Sequence, residues 1–234
     1  MSVQQPSVPA GSSPGKSLSR LRWLFWGVAL VIGVLAGLLI GVLNTSPNTA
    51  AIPTAIPPAG PSVSWAAGKK PAPDFALTDQ AGKPVSIAQF RGRPVIVTFI
   101  DPLCRNLCPT EAKILDSVVT SFPAGQRPAV VAVSVNQWGN ARHVLLQDVQ
   151  KWKLPAEWHW AVGPAATLKK VWAAYQIGVS DSPKTVTGVT VHNISHTEAS
   201  FLVDAKGDQR ALYLFPFRAP DVARTLKQLA SAQG

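Results

Sequence analysis

The chain's two cysteines stand four residues apart, in the run Cys104-Arg105-Asn106-Leu107-Cys108-Pro109. Thiols at that spacing can oxidise together or share one soft metal ion. The setting adds to this. The apolar, β-branched run PVIVTFI (94–100) directly precedes the motif and reads as a buried central strand. Residues 109–122 follow, with Ile114, Leu115, Val118, Val119 and Phe122 at helical spacing and Pro109 suited to a first turn. The pair is therefore expected at a helix N-terminus, where free N–H groups and the positive dipole end stabilise thiolate. Arg105 adds a second positive influence. A structural disulfide here would close only a tiny loop, whereas a catalytic dithiol and a thiolate metal site both exploit the position. On the cysteines alone these three readings stay open.

The elements that must hold the motif follow an αβ pattern from Ala72 onward. AVVAVSV (129–135) reads as a second buried strand, with helices over about 140–153 and 164–175. Strands are expected near 186–192, 199–204 and 210–214, with DAKGD as the turn between the last two and a closing helix over 220–232. Parallel αβ units, then a hairpin and a C-terminal helix, make the order of a thioredoxin-like α/β fold. Of the four histidines, His143 falls on a polar helix face and reads as solvated, and His159 between Trp158 and Trp160 reads as packed. His192 and His196 flank a short segment before the penultimate strand. In a thioredoxin-like fold the chain just before that strand runs beside the dithiol. That gives His196 a topological reason to face Cys104 and Cys108, with His192 a weaker second candidate.

Composition removes other classes. With 2 cysteines in 234 residues there is no four-cysteine zinc site and no disulfide-dense scaffold. Met1 is the only methionine, which excludes methionine-rich metal relays and a blue-copper site with axial Met. The net charge of +10 suggests nucleic acid at first. Five of the basic residues (Lys16, Arg20, Arg22, Lys69 and Lys70) lie before residue 72, where no acidic residue occurs, and no basic stripe or module follows. Nucleic-acid binding is not expected.

Those early charges bear on the membrane instead. Trp23 to Leu43 is 21 residues without a charge, enough at ~1.5 Å per residue to span a ~30 Å hydrocarbon core. It is longer than a signal-peptide apolar region and lacks a small-x-small cleavage pattern close behind it. Lys16, Arg20 and Arg22 precede the span, so the positive-inside rule keeps residues 1–22 cytoplasmic and sends the rest across. Residues 44–71, rich in Pro, Ala, Thr and Ser, read as an extended tether reaching up to roughly 80 Å. The expected organisation is a cytoplasmic segment (1–22), a transmembrane helix (23–43), a tether (44–71) and one α/β domain (72–234), in a bacterial envelope.

The run Pro73-Asp74-Phe75-Ala76-Leu77-Thr78, the strand VIVTF, the Cys-x-x-x-Cys-Pro motif and His196 five residues before Phe201 together resemble the Sco/SenC family. Its members are membrane-anchored, thioredoxin-like copper-binding proteins of cytochrome oxidase assembly. The resemblance covers about residues 72–234, and the anchor topology matches as well. It implies that Cys104, Cys108 and His196 ligate copper, as Cu(I) or Cu(II), in a metallochaperone rather than an enzyme. It also implies partners: the copper A subunit of cytochrome c oxidase and other copper chaperones or thiol–disulfide proteins. The donor types agree, since soft Cu(I) prefers thiolate and an imidazole also lets a site hold Cu(II). One departure stands out. Members usually carry proline after the first cysteine, whereas Arg105 stands here, a cation that favours thiolate but opposes a bound cation. The alternatives are an envelope thiol–disulfide oxidoreductase using the Cys104/Cys108 pair and an inert tether with a structural disulfide.

Overall fold

The structure, a computed structural model, describes residues 60–231. The anchor expected at 23–43, the segment before it and the first part of the tether lie outside these residues. Among the described residues no helix is long and apolar enough to cross a membrane.

Among the described residues, ten strands and four α-helices follow in chain order. Strands β1 (Val63–Ser64), β2 (Leu77–Thr78) and β3 (Pro84–Val85) lead into β4 (Val95–Ile100), and helix α1 (Leu107–Thr120) comes directly after it. Then come β5 (Ala129–Ser134), α2 (Arg142–Lys151), β6 (Trp158–Ala161) and α3 (Ala165–Ala174). Strands β7 (Val179–Val186), β8 (Val189–His196), β9 (Ala199–Val203) and β10 (Gln209–Leu214) precede the closing helix α4 (Ala219–Ser231). The main sheet runs β1-β10-β9-β4-β5-β6. Strands β4, β5 and β6 are parallel, while β9 lies antiparallel to β4 and β10 to β9.

Every residue of β4 and β5 is buried, because both sheet faces are covered. Alternation along β4 divides its side chains between two cores. Ile96 and Ile100 pack with Leu115, Val118 and Val119 of α1 and Val222 and Leu226 of α4. Val95, Val97 and Phe99 pack on the other face with Leu168 and Val171 of α3 and with Phe201. Strand β6 obeys the same period: Trp158 and Trp160 enter the first core, and Ala161 the second.

Three expectations are corrected. Helix α1 begins at Leu107, two residues before the position read from Pro109, because Asn106 caps it by accepting from the Leu107 N–H (2.8 Å). Cys108 therefore lies within the first turn. The segment read as one strand over 186–192 is a hairpin of two eight-residue strands, in register from Val179↔His196 to Val186↔Val189. Its turn residues Thr187 and Gly188 both have positive φ (48° and 80°), as a tight primed turn requires. Residues 60–71, placed in the tether by composition, pack on the domain: Val63 and Ser64 pair with Leu212 and Ala211, and Pro71 bridges to Asp208. A short edge strand tolerates flanking prolines, so a proline-rich composition did not exclude it.

Candidate metal centre

Three segments meet at one end of the sheet. Strand β4 ends at Ile100, and Asp101 turns the chain: its Oδ1 accepts from the Leu103 N–H (2.7 Å) and its carbonyl accepts from the Cys104 N–H (3.1 Å). The loop then feeds Asn106 and the first turn of α1. From the other side comes the end of β8, carrying His196, and the extended link into β9, carrying Glu198. That link is pinned twice. The Thr197 N–H donates to the Gly178 carbonyl (2.9 Å), and the Phe215 N–H donates to the Glu198 carbonyl (3.0 Å). Between the segments lies a cleft of about 540 Å³, lined by Cys104, His196 and Glu198 with Asp101, Leu107 and Phe215 among its walls.

Both cysteines are free thiols. Cys108 is buried and Cys104 half-buried. The Cys108 backbone N–H donates to Cys104 Sγ (3.3 Å), as the open end of a helix allows. The Cys108 thiol also donates to Cys104, and this bond is the main reason Cys104 is held down to about 5, against burial and the Asp101 charge. The same bond, with burial, pushes Cys108 far up. At neutral pH the pair is one thiolate on the rim and one buried thiol behind it.

His196 Nδ1 lies 3.1 Å from the Thr197 carbonyl. An N–H on Nδ1 donates there, which leaves the Nε2 lone pair for a ligand. The ligating atoms of Cys108, His196 and Glu198 all lie within 4.8 Å of one another. Cys104 borders this set from the loop; in its thiol form its Sγ donates to Asn106 Oδ1 (3.1 Å). Burial raises the Glu198 carboxyl, opposed by the neighbouring His196 and assisted by Cys104. Glu198 is absent from the sequence reading. Its signal was its position two residues after His196, since in extended chain residues i and i+2 share a face.

The remaining candidates lie elsewhere. His143 is exposed on α2. His159 sits against the Phe90 ring (5.4 Å between centroids) and 3.8 Å from Asp79. His192 bonds Asp181 (2.7 Å) and stacks on Trp138 at 3.4 Å. The Arg105 guanidinium turns away from the cleft, donating to the carbonyls of Pro102 (2.8 Å) and Cys104 (2.9 Å) and facing Asp148 on α2 at 3.5 Å. It ties the loop down, and its charge is already partnered.

The sequence model of the SCO1/SenC family matches residues 66–231. The chain belongs to the SCO1/SenC family. Solved Sco structures share its fold. The copper-bound ScoI of Bradyrhizobium japonicum is 20% identical, with a TM-score of 0.60 over 68% of this chain and 98% of that one. The apo Sco1 of Thermus thermophilus is 23% identical, with a TM-score of 0.59 over 76% and 99%. Copper-bound yeast Sco1 is 15% identical, with a TM-score of 0.62 over 70% and 90%. No curated protein matches the chain. The family and the thioredoxin-like α/β fold of the domain stand as the sequence suggested.

Proposed function

We propose that this Sco-family protein is a copper metallochaperone. It binds one copper ion as cargo through Cys104, Cys108 and His196 and supplies the copper A centre of a cytochrome oxidase, or keeps that centre's thiols reduced. The observation that carries this reading is the convergence of a buried sulfur, an imidazole nitrogen and a carboxylate oxygen within 4.8 Å, beside a half-buried cysteine held as thiolate. The sulfurs and the imidazole suit a soft, thiophilic ion. Copper bound in two solved relatives supports the choice of metal. An open cleft beside the donors lets a partner's ligands replace them one at a time, which is how a carrier releases its metal. The uncharged segment Trp23–Leu43 and the basic residues before it support a single-pass anchor with the domain outside the cytoplasm.

Anaerobic titration of the reduced full-length chain with Cu(I) against a chromogenic competitor tests the reading. One tight equivalent is expected, lost in Cys104→Ser and weakened in His196→Ala. Failure to compete with the chelator, or binding indifferent to His196, overturns it. A second reading, thiol–disulfide exchange with partner proteins, is favoured by the asymmetry of the pair. A thiolate at the rim backed by a buried thiol is the arrangement of a nucleophile and its resolving partner. That reading expects exchange activity that does not depend on His196.

A further inference from the structure

His196 and Glu198 stand two residues apart on an extended link, so both side chains fall on the face turned to the N-terminus of α1. Three carboxyl groups lie near the dithiol, and two are engaged. Asp101 Oδ1 is held by the Leu103 N–H at 2.7 Å. Glu111 is buried beneath the site, where its Oε1 accepts from the hydroxyls of Thr98 (2.6 Å) and Ser200 (3.1 Å). Glu198 differs. Its backbone carbonyl is fixed by Phe215, yet among the described residues its carboxylate takes part in no hydrogen bond, and it lines the cleft within 4.8 Å of both Cys108 and His196.

We propose that Glu198 is a metal ligand, the oxygen donor that joins Cys108 and His196, with Cys104 as the remaining donor of the cleft, to hold a divalent cation. The inference rests on the metal-binding reading above and extends it to the oxidation state of the ion. Cu(I) is satisfied by two soft sulfurs and an imidazole and gains little from a hard carboxylate. Cu(II) prefers four donors including nitrogen and oxygen, and Zn(II) takes thiolate, imidazole and carboxylate together in a four-coordinate site. Charge points the same way. Two thiolates and a carboxylate leave a net charge of minus two around Cu(I) and minus one around a divalent ion, and Arg105 faces Asp148 rather than the cleft. Glu198 thus makes the pocket discriminate between oxidation states, holding the divalent ion by four donors and the monovalent ion by three.

Competition titrations of the reduced full-length chain with Cu(I), Cu(II) and Zn(II), for wild type, Glu198→Gln and His196→Ala, test this. Zn(II) is the cleanest divalent probe because thiols cannot reduce it. Glu198→Gln is expected to weaken Zn(II) and Cu(II) by at least about tenfold while leaving Cu(I) binding unchanged. The unchanged Cu(I) affinity also certifies that the variant is folded. His196→Ala is expected to weaken all three. Equal divalent affinity in wild type and Glu198→Gln overturns the assignment. So does an equal loss of Cu(I) and Zn(II), which would mean that Glu198 acts by positioning His196. The two readings fail separately. Cu(I) bound tightly while Zn(II) affinity is unchanged by Glu198→Gln sinks only the ligand assignment. Zn(II) bound through Glu198 with no competition for Cu(I) sinks only the copper reading.

Discussion

Cys104 and Cys108 have the same side chain four residues apart, yet the structure gives them opposite acid–base characters. Cys104 sits where the Cys108 thiol and a free helix N–H both point at its sulfur, so its thiolate is stabilised; Cys108 is the buried donor of that bond. The thiolate is the reactive form. Alkylation of the metal-free chain is therefore expected to occur first at Cys104, with a rate that rises through pH 5 and is level by neutral pH. Cys108→Ala removes the main stabilising donor and is expected to move that midpoint upward; an unmoved midpoint would refute the role given to Cys108. Beneath the pair, burial raises Glu111 to about 7, despite the hydroxyls of Thr98 and Ser200. The folded chain then keeps a proton that the unfolded chain gives up from about 4.5 upward. This contribution to stability is full at low pH and is lost as pH rises to about 7, an effect of about 3 kcal/mol. Glu111→Gln mimics the protonated acid and keeps an acceptor for both hydroxyls. Its thermal midpoint, measured without metal, is expected to stay flat between pH 5 and 7.5 where that of the wild type falls.

The elements that present these residues were unequally legible. VIVTFI and AVVAVS announced themselves because strands buried on both faces need unbroken apolar runs, and α1 showed its helical period. The arm that ends in His196 was legible only in part. TVTGVTV alternates like a strand, and nothing in that alternation tells a mid-strand glycine from a turn. Only the backbone shows that Thr187 and Gly188 both adopt positive φ. Likewise Glu198 looked like any acidic residue until the link between β8 and β9 was laid across the start of α1. The turn makes its own prediction. Thr187 is β-branched in a left-handed conformation, where such side chains are strained, whereas Asn-Gly is the preferred pair. Thr187→Asn is expected to stabilise the arm by about 0.5–1 kcal/mol, and Gly188→Val to cost at least as much. Hydrogen exchange at the hairpin amides reads both effects. Because Val179↔His196 is the rung nearest the domain, loosening the arm is also expected to lower metal affinity.

For the whole molecule, the decisive question is on which side of a membrane the cleft opens. No helix among the described residues is long and apolar enough to cross a membrane, and the proposed anchor is the uncharged Trp23–Leu43 with the three basic residues before it. On the topology proposed above, the positive-inside rule is expected to keep residues 1–22 in the cytoplasm and to send the domain across the bilayer. The chain offers a direct test, because its only cysteines are Cys104 and Cys108 and the first of them is a half-buried thiolate at neutral pH. A membrane-impermeant maleimide applied to intact bacterial cells, after mild reduction, is expected to label the chain, and Cys104→Ser is expected to abolish that labelling. Neutralising Lys16, Arg20 and Arg22 together removes the orienting charges and is expected to lower the labelled fraction without lowering the amount of protein in the membrane. Labelling that appears only after the cells are permeabilised would place the cleft in the cytoplasm and overturn the topology, together with any direct handover across the membrane surface.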